Sequence, residues 1–393
     1  MTTARFLDAH RDRLAALLAE HYGLRGELHA LPGEHDTNLR LCDGDRDALV
    51  KIVAKSTPAA LEELQIRVLE HLAEAACDVP APRVVRTARG ATSHTLPTDD
   101  GPRRVLVTTW LPGRLVADLP EVPLELCREL GGLLGRLDRA LQSLHAPAAA
   151  RELPWDLRRA AWIGAHLDAI ADRELRELVR RVHRRFVDDV HDRLARARTA
   201  VVHNDANDHN LLVAPRDGAW RPAGLIDFGD LCRTALVAEI AIAATYLAMA
   251  ADDPFAAIDA AVQGYDRELP LTDDELRLVV PLIETRLAVS ITTAALRGPE
   301  RPDDPYVTVS QAGAARLLRL LEGRDHVVAN ERLRSACGRA PTPGPAAVAA
   351  RLGALRGTLP PVLDADLPRH HVLGLSFAAT TAGDDPTRFD AAS

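Results

Sequence analysis

Lysine is almost missing from this 393-residue chain: of 48 lysine and arginine residues only Lys51 and Lys55 are lysine. Where arginine serves for nearly every surface charge, a lysine at a strand end asks for a specific reason. A compact ammonium set between phosphate oxygens is one, since a guanidinium fork does not fit there as a point charge. Other absences exclude whole classes. No stretch approaches the ~18 consecutive apolar residues of a membrane-spanning helix, so no membrane partner is expected. The opening MTTARFLDAHRDRL is charged and helical in period and has no apolar core, so it does not read as a secretory leader. Five cysteines (Cys42, Cys77, Cys127, Cys232 and Cys337) are scattered, odd in number and never spaced C-x-x-C. Neither a disulfide framework nor a zinc site is expected, and a reducing cytoplasm fits. The fifteen histidines form no H-E-x-x-H pattern, and no G-x-x-x-x-G-K-[ST] phosphate loop occurs. The net charge of −8 argues against a nucleic-acid polymer and suits a small cationic partner.

What is present is concentrated in two stretches, VVHNDANDHN at Val201 to Asn210 and GLIDFGD at Gly224 to Asp230. The short apolar runs Ala200-Val201-Val202 and Leu211-Leu212-Val213 predict strands around a polar loop, and Leu225-Ile226 predicts a third that ends at Asp227-Phe228-Gly229. Asp205, Asn210 and Asp227 then sit on or beside neighbouring loops. Any one of them alone is ordinary turn chemistry. Together they supply an acid within reach of a hydroxyl proton, and an amide and a carboxylate that offer oxygens to a hard cation. Phosphoryl transfer from a magnesium nucleotide needs that set, because its difficulty lies in charge neutralisation and alignment.

The pattern H-x-D-x-x-x-x-N followed by I-D-F-G resembles the aminoglycoside phosphotransferase and choline kinase family of small-molecule kinases. The wording HNDANDHNLLV and GLIDFGD is similar to its hydroxylysine-kinase-like branch, a module often joined to a class-III aminotransferase, so a link to such a domain is an expectation too. The resemblance implies that Asp205 is the catalytic base, that Asn210 and Asp227 hold Mg2+, that His203 supports the loop, and that ATP or GTP is the phosphoryl donor. It implies an α+β, two-lobed protein-kinase-like fold with a small β-rich N-lobe and a larger helical C-lobe. The implied acceptor is a small hydroxylated amine, a hydroxy-amino acid such as hydroxylysine or an amino alcohol. Three other readings compete. An aminoglycoside O-phosphotransferase shares the motif. A non-catalytic kinase-like binding module is opposed by the intact Asp205, Asn210 and Asp227. A protein kinase is opposed by the missing H-R-D, glycine-rich loop and A-P-E.

Along the chain, Phe6 to His21 has helical spacing, and Leu24 to Leu31 and Thr37 to Cys42 read as strands around Pro32-Gly33-Glu34-His35-Asp36. With one glycine, that turn reads equally as a plain hairpin or as a phosphate cover. The strand DALVKIVA, Asp47 to Ala54, puts Lys51 on one face, and the resemblance makes Lys51 the phosphate-binding lysine while Lys55 lies at the strand's fraying end. In the helix Pro58 to Ala76, Glu63 is the expected partner of Lys51, with Glu62 and Glu70 as competitors. Arg83 to Thr87 and Arg103 to Leu111 are further strands. The resemblance implies that backbone groups of Thr108, Thr109, Trp110 and Leu111 meet the purine edge.

Gly131 to Gly135, GGLLG, lies inside a helical period and reads as close packing. Asp156 to Ala171 and Glu174 to Ala197 are expected helices. So are Ala235 to Ala251 with its lone acid Glu239, and Leu276 to Leu296 with Glu284 and Arg286. Asp208, Asp230 and Glu239 are candidates for the substrate ammonium, and Arg286 for a substrate carboxylate or else an ion pair. Expected divisions are 1–112 for the nucleotide lobe, 113–325 for the catalytic lobe and 326–393 for a linker-like extension. That extension contains the proline-rich break Pro341 to Pro345 and a small polar tail from Ala379 to Ser393 expected to be disordered.

Overall fold

Two periodicities set the small lobe in the computed structural model, which describes residues 3–33, 36–44, 46–75, 78–298 and 305–344, with strand pairs at 376–377 and 387–388. Thr3–Leu17 (α1) places Phe6, Leu7, Leu14 and Leu17 on one buried stripe, the spacing of a helix with one face in a core. Glu27–Ala30 (β1), Thr37–Cys42 (β2) and Ala48–Ile52 (β3) are followed by Ala59–Glu74 (α2), Ser93–Leu96 (β4) and Arg103–Thr109 (β5). The five strands make one antiparallel sheet in the order β1-β2-β3-β5-β4. Leu39, Leu41, Val50, Ile52, Val105 and Val107 alternate onto the face that α1 covers, forming a separate apolar cluster. Lys51 alternates onto the opposite face, and its side chain is only 13% exposed there. The apolar stripe of α2 (Leu64, Val68, Leu69 and Leu72) joins the core of the larger lobe instead, so α2 ties the two lobes together.

The larger lobe begins with Arg114–Leu115 (β6) and Leu124–Leu141 (α3). Tight helical turns over Leu157–Ala169, then Arg173–Arg185 (α4) and His191–Leu194 (α5), lead to the strands Thr199–Val202 (β7), Leu211–Arg216 (β8), Ala219–Leu225 (β9) and Cys232–Ala235 (β10). Five helices follow: Val237–Ala250 (α6), Pro254–Glu268 (α7), Asp273–Arg297 (α8), Pro305–Glu322 (α9) and His326–Ala336 (α10). The GGLLG stretch is a packing device. A Cβ on Gly131 would lie 1.9 Å from the Ala261 carbonyl oxygen of α7, and one on Gly264 would lie 1.8 Å from that of Arg128, so α3 and α7 meet backbone to backbone. At 25 residues α8 is long and apolar enough to cross a membrane, but most of it is buried within the lobe, and it carries the buried charges Glu284 and Arg286. Thr272 and Glu275 start it with a reciprocal capping box.

The two-lobed α+β expectation is met, with local corrections. Arg83 to Thr87 is not a strand; only Val84 bridges to Thr108. The expected helix Glu174 to Ala197 is broken by a wider turn at Phe186–Val190. Packing is continuous across the expected division at 325/326. α10 packs on α7 and α8, Leu333 is buried, His326 pairs with Glu284 at 2.9 Å and Arg339 with Asp266 at 2.7 Å. Glu34 and His35 of the expected phosphate turn lie outside the described residues. So does the expected tail, except Thr387 and Arg388, which pair with Phe377 and Ser376.

Candidate active site

The polar loops lie side by side because the strands carrying them do. β8 and β9 form a hairpin whose Asp217-Gly218 turn has φ of 51° and 77°, the mirror-image turn that suits the strand twist. β10 comes back to pair with β7, Cys232 opposite Val202. The loop 203–210 is therefore fixed against the segment 226–231, with the Ile226 amide donating to Asn210 O at 2.9 Å.

His203 is fully buried edge-on to the Phe228 ring, 4.9 Å between centroids. Burial pushes its pKa down to about 4, so it is neutral near pH 7. A neutral ring has one donor and one acceptor. Nε2 lies 3.0 Å from the Ile226 carbonyl, and Nδ1 takes the Asp205 amide at 3.4 Å. That assigns the proton to Nε2 and joins the two loops through one side chain. Asn204, in the left-handed region at φ 66°, donates its amide to Glu239 Oε2 at 2.7 Å.

Asp205 is held from three sides. Its Oδ2 accepts from Asn207 Nδ2 and Asn210 Nδ2, each at 3.0 Å, and its Oδ1 from Arg286 Nη2 at 3.0 Å. Burial raises its pKa to about 6, with Arg286 and the Asn207 bond pulling the other way. On the neighbouring segment, Asp227 takes a left-handed φ of 59° and leaves its side chain 59% exposed. Lys51 Nζ lies 3.9 Å from Asp227 Oδ1 and 3.6 Å from Asp36 Oδ2. Asp36 is in turn fixed by the Ala54 amide at 2.7 Å. Burial, then the charges of Asp205 and Asp227, raise Asp230 to about 7, with Arg151 3.8 Å away.

The donor set fits a hard cation. Asn210 spends Nδ2 on Asp205, at 2.8 Å to its carbonyl as well as to Oδ2, which turns its amide oxygen the other way. Asp227 stands exposed toward the same cleft. Among the described residues no cluster of three or more histidines, cysteines or acids could enclose a metal. One carboxylate and one amide oxygen suit Mg2+, which keeps water and phosphate oxygens for its remaining positions.

Several expected site residues are placed differently. Glu63 is exposed on α2, and the ion pairs of Lys51 are with Asp36 and Asp227. Its neighbour Glu62 is the buried one, and it pairs with Arg104 at 2.6 Å. At the hinge, the Thr109 amide is bonded to Arg83 O at 2.8 Å and the Trp110 amide to Asp47 O at 3.1 Å. Thr108 is buried within the sheet, so three of the four expected purine-facing positions are engaged by the small lobe itself. Asp208 bonds His209 at 3.1 Å and receives the Ala117 amide on its carbonyl. Glu239, wholly buried, holds loop backbone and does not face the cleft. Glu284 is occupied by Arg185 and His326. The sequence reading missed Asp36, Asn207, Arg151 and Tyr246. Tyr246 had a signal: one of only four tyrosines, it stands alone among small apolar residues on α6.

A β-rich lobe carrying a half-buried lysine, placed over a helical lobe with an Asp/Asn loop and an Asp-Phe-Gly turn, defines a kinase-type phosphotransferase. Residues 27–274 match the model of the phosphotransferase enzyme family, and the chain belongs to that family. The hydroxylysine kinase of Bos taurus is 28% identical over 305 residues, covering 72% of this chain and 80% of its own. Among solved structures, an amicoumacin kinase in complex with AMP-PNP, Ca2+ and its ligand shares the fold at a TM-score of 0.61 and 16% identity, covering 83% of this chain and 99% of that one. A microcompartment-associated aminopropanol kinase does so at 0.60 and 18%, covering 83% and 98%.

Proposed function

We propose that the protein transfers the γ-phosphoryl group of ATP or GTP to the hydroxyl of a small amine, a hydroxy-amino acid such as hydroxylysine. The observation that carries this is the placement of Asp205. Two amides and a guanidinium fix it opposite Lys51 and Asp227, in a chain whose similarity to hydroxylysine kinases covers 80% of the Bos taurus protein. Asp205 accepts the hydroxyl proton while the acceptor oxygen bonds to Pγ and the bridging P–O bond breaks, releasing the nucleoside diphosphate. With a pKa of about 6 it is largely ionised near pH 7 and close to the best strength for a general base. Lys51 presents a point charge to the phosphates, and Asn210 and Asp227 offer oxygens to magnesium. Bound there, the magnesium would draw charge from the phosphate oxygens. Asp230, at 28% exposure and beside Asp205 and Asp227, is the carboxyl placed to meet the acceptor's ammonium, whose charge would favour its ionised form.

The test is nucleotide turnover across hydroxylated amines, with Asp205→Asn and Asp227→Asn as controls. Losing the base is expected to cost roughly 10²–10⁴-fold in kcat with Tm retained. Near-normal turnover by folded Asp205→Asn would sink the assignment. An aminoglycoside as the best acceptor would move the reading to antibiotic phosphorylation.

A further inference from the structure

Arg286 arises from the buried helix α8, where its side chain is 7% exposed, yet it ends on the catalytic carboxylate. Its Nη2 is shared between Asp205 Oδ1 and the Tyr246 hydroxyl, 3.0 Å to each, and its guanidinium carbon lies 5.4 Å from the centre of the Tyr246 ring. A carboxylate has about four acceptor positions. On Asp205, two amides occupy Oδ2, so an incoming hydroxyl has to use Oδ1, the oxygen that Arg286 already holds. Arg286 fills one of the two positions on Oδ1, so the hydroxyl takes the other and lies beside the guanidinium.

We propose that Arg286 is the specificity element for a carboxylate on the acceptor: the acceptor's carboxylate takes the guanidinium from Asp205, and Oδ1, losing that hydrogen bond, becomes the stronger base for the acceptor's own hydroxyl. This rests on the kinase reading and narrows its substrate class to hydroxylated amino acids over amino alcohols. The exchange keeps the buried guanidinium paired throughout, which its desolvation requires. A planar fork accepting a carboxylate in two parallel bonds is the stronger partner, because Asp205 engages only one nitrogen. Amino alcohols carry nothing to exchange, so they meet an Asp205 that is still tied. Tyr246 is the positioning residue: its hydroxyl and ring hold the guanidinium at the turning point between the two carboxylates.

The experiment compares a hydroxy-amino acid with its decarboxylated amine in wild type, Arg286→Gln and Tyr246→Phe. In wild type the acid is expected to be preferred. In Arg286→Gln the acid loses roughly 10–10²-fold in kcat/KM, mostly through KM, while kcat for the amine rises because Oδ1 is released. Tyr246→Phe shifts both in the same directions by less, and it carries the test should Arg286→Gln not fold. Equal losses for both acceptors, or a preference for the acid that survives, would overturn the proposal. Calorimetry with a non-hydrolysable nucleotide separates the two readings. If neither acceptor is phosphorylated but the acid still binds better than its decarboxylated amine through Arg286, the kinase reading fails while Arg286 remains a carboxylate site. Loss of that discrimination in wild type refutes it.

Discussion

At the scale of single residues, Lys51 is where charge crosses between the lobes. Its ammonium lies 3.6 Å from Asp36, above it in the sheet lobe, and 3.9 Å from Asp227 below. A small spherical charge can face two carboxylates and then a phosphate without turning; a planar fork cannot. Lys51→Arg is therefore expected to fold normally and to lose roughly 10²-fold in kcat/KM for nucleotide, the scale of an ångström-sized misplacement. Lys55, 44% exposed and paired with Asp100 at the surface, is the control. Lys55→Ala should change stability by no more than about 1 kcal/mol and leave kinetics alone; equal effects at both positions would make Lys51 an ordinary strand-end charge. Lys51 was legible because nearly every other cation is arginine. Its partner was not. Glu62 and Glu63 are adjacent, and only the rotation of α2 decides that the first is buried against Arg104 and the second points to solvent. Asp36 was hidden for a different reason: a turn aspartate reads as turn chemistry until the fold brings β3 beside it.

At the scale of elements, the catalytic loop is held from behind by α6. Glu239 Oε2 takes the Asn204 amide, and the left-handed Asn204 turns the chain so that Asp205 faces forward. A lone acid in an apolar helix was visible in the sequence as something needing a partner. That the partner is a backbone amide leaves no mark on any other residue. Behind it Asp138, also fully buried, accepts from Tyr265 at 2.5 Å. Burial raises the Glu239 pKa to about 7, above the roughly 4.3 of an unfolded glutamate. Between those values the folded chain keeps a proton that the unfolded chain has released. This group's contribution to stability is complete below about pH 4.3 and lost as the pH rises through 7. Glu239→Gln keeps an acceptor oxygen and removes the titration. The Tm of wild type relative to the variant should therefore fall from pH 5 to pH 8. A gap that instead grows with pH would mean that Glu239 works as a buried anion. The strands and helices themselves were largely readable from period, down to the GGLLG helix, whose glycines meet the backbone of α7. The 83–87 segment was not: its alternation resembles a strand, but its pairing with β5 amounts to a single bridge around Val84.

At the scale of the molecule, composition says where regular structure pauses but not what packs across the pause. The drop from strand to Pro112-Gly113 is where the first boundary is expected, and there Gly113 packs against Leu212 and Val213. The second was placed near residue 325 because prolines gather at Pro341, yet a proline-rich break marks where regular structure stops, not where a core ends. α10 closes the far side of the helical lobe. Its Leu333 is buried, Gln263 donates to the Ala336 carbonyl at 2.5 Å, and Arg334 and Arg339 both reach Asp273 at 2.8 Å. It also caps α8 from outside, since His326 shares Glu284 with Arg185, and α8 is the helix that delivers Arg286 to Asp205. Ending the chain after Arg324 should then strip one partner from a buried carboxylate and expose the faces of α7 and α8. One buried leucine is worth about 1.5–3 kcal/mol, and a lobe of this size loses roughly 2–4 °C of Tm per kcal/mol. A fall on the order of 10 °C is expected, with kcat/KM declining alongside it as α8 loosens. Differential scanning calorimetry and turnover on the same preparation check it. An unchanged Tm with full activity would return the boundary to residue 325 and make α10 an appendage.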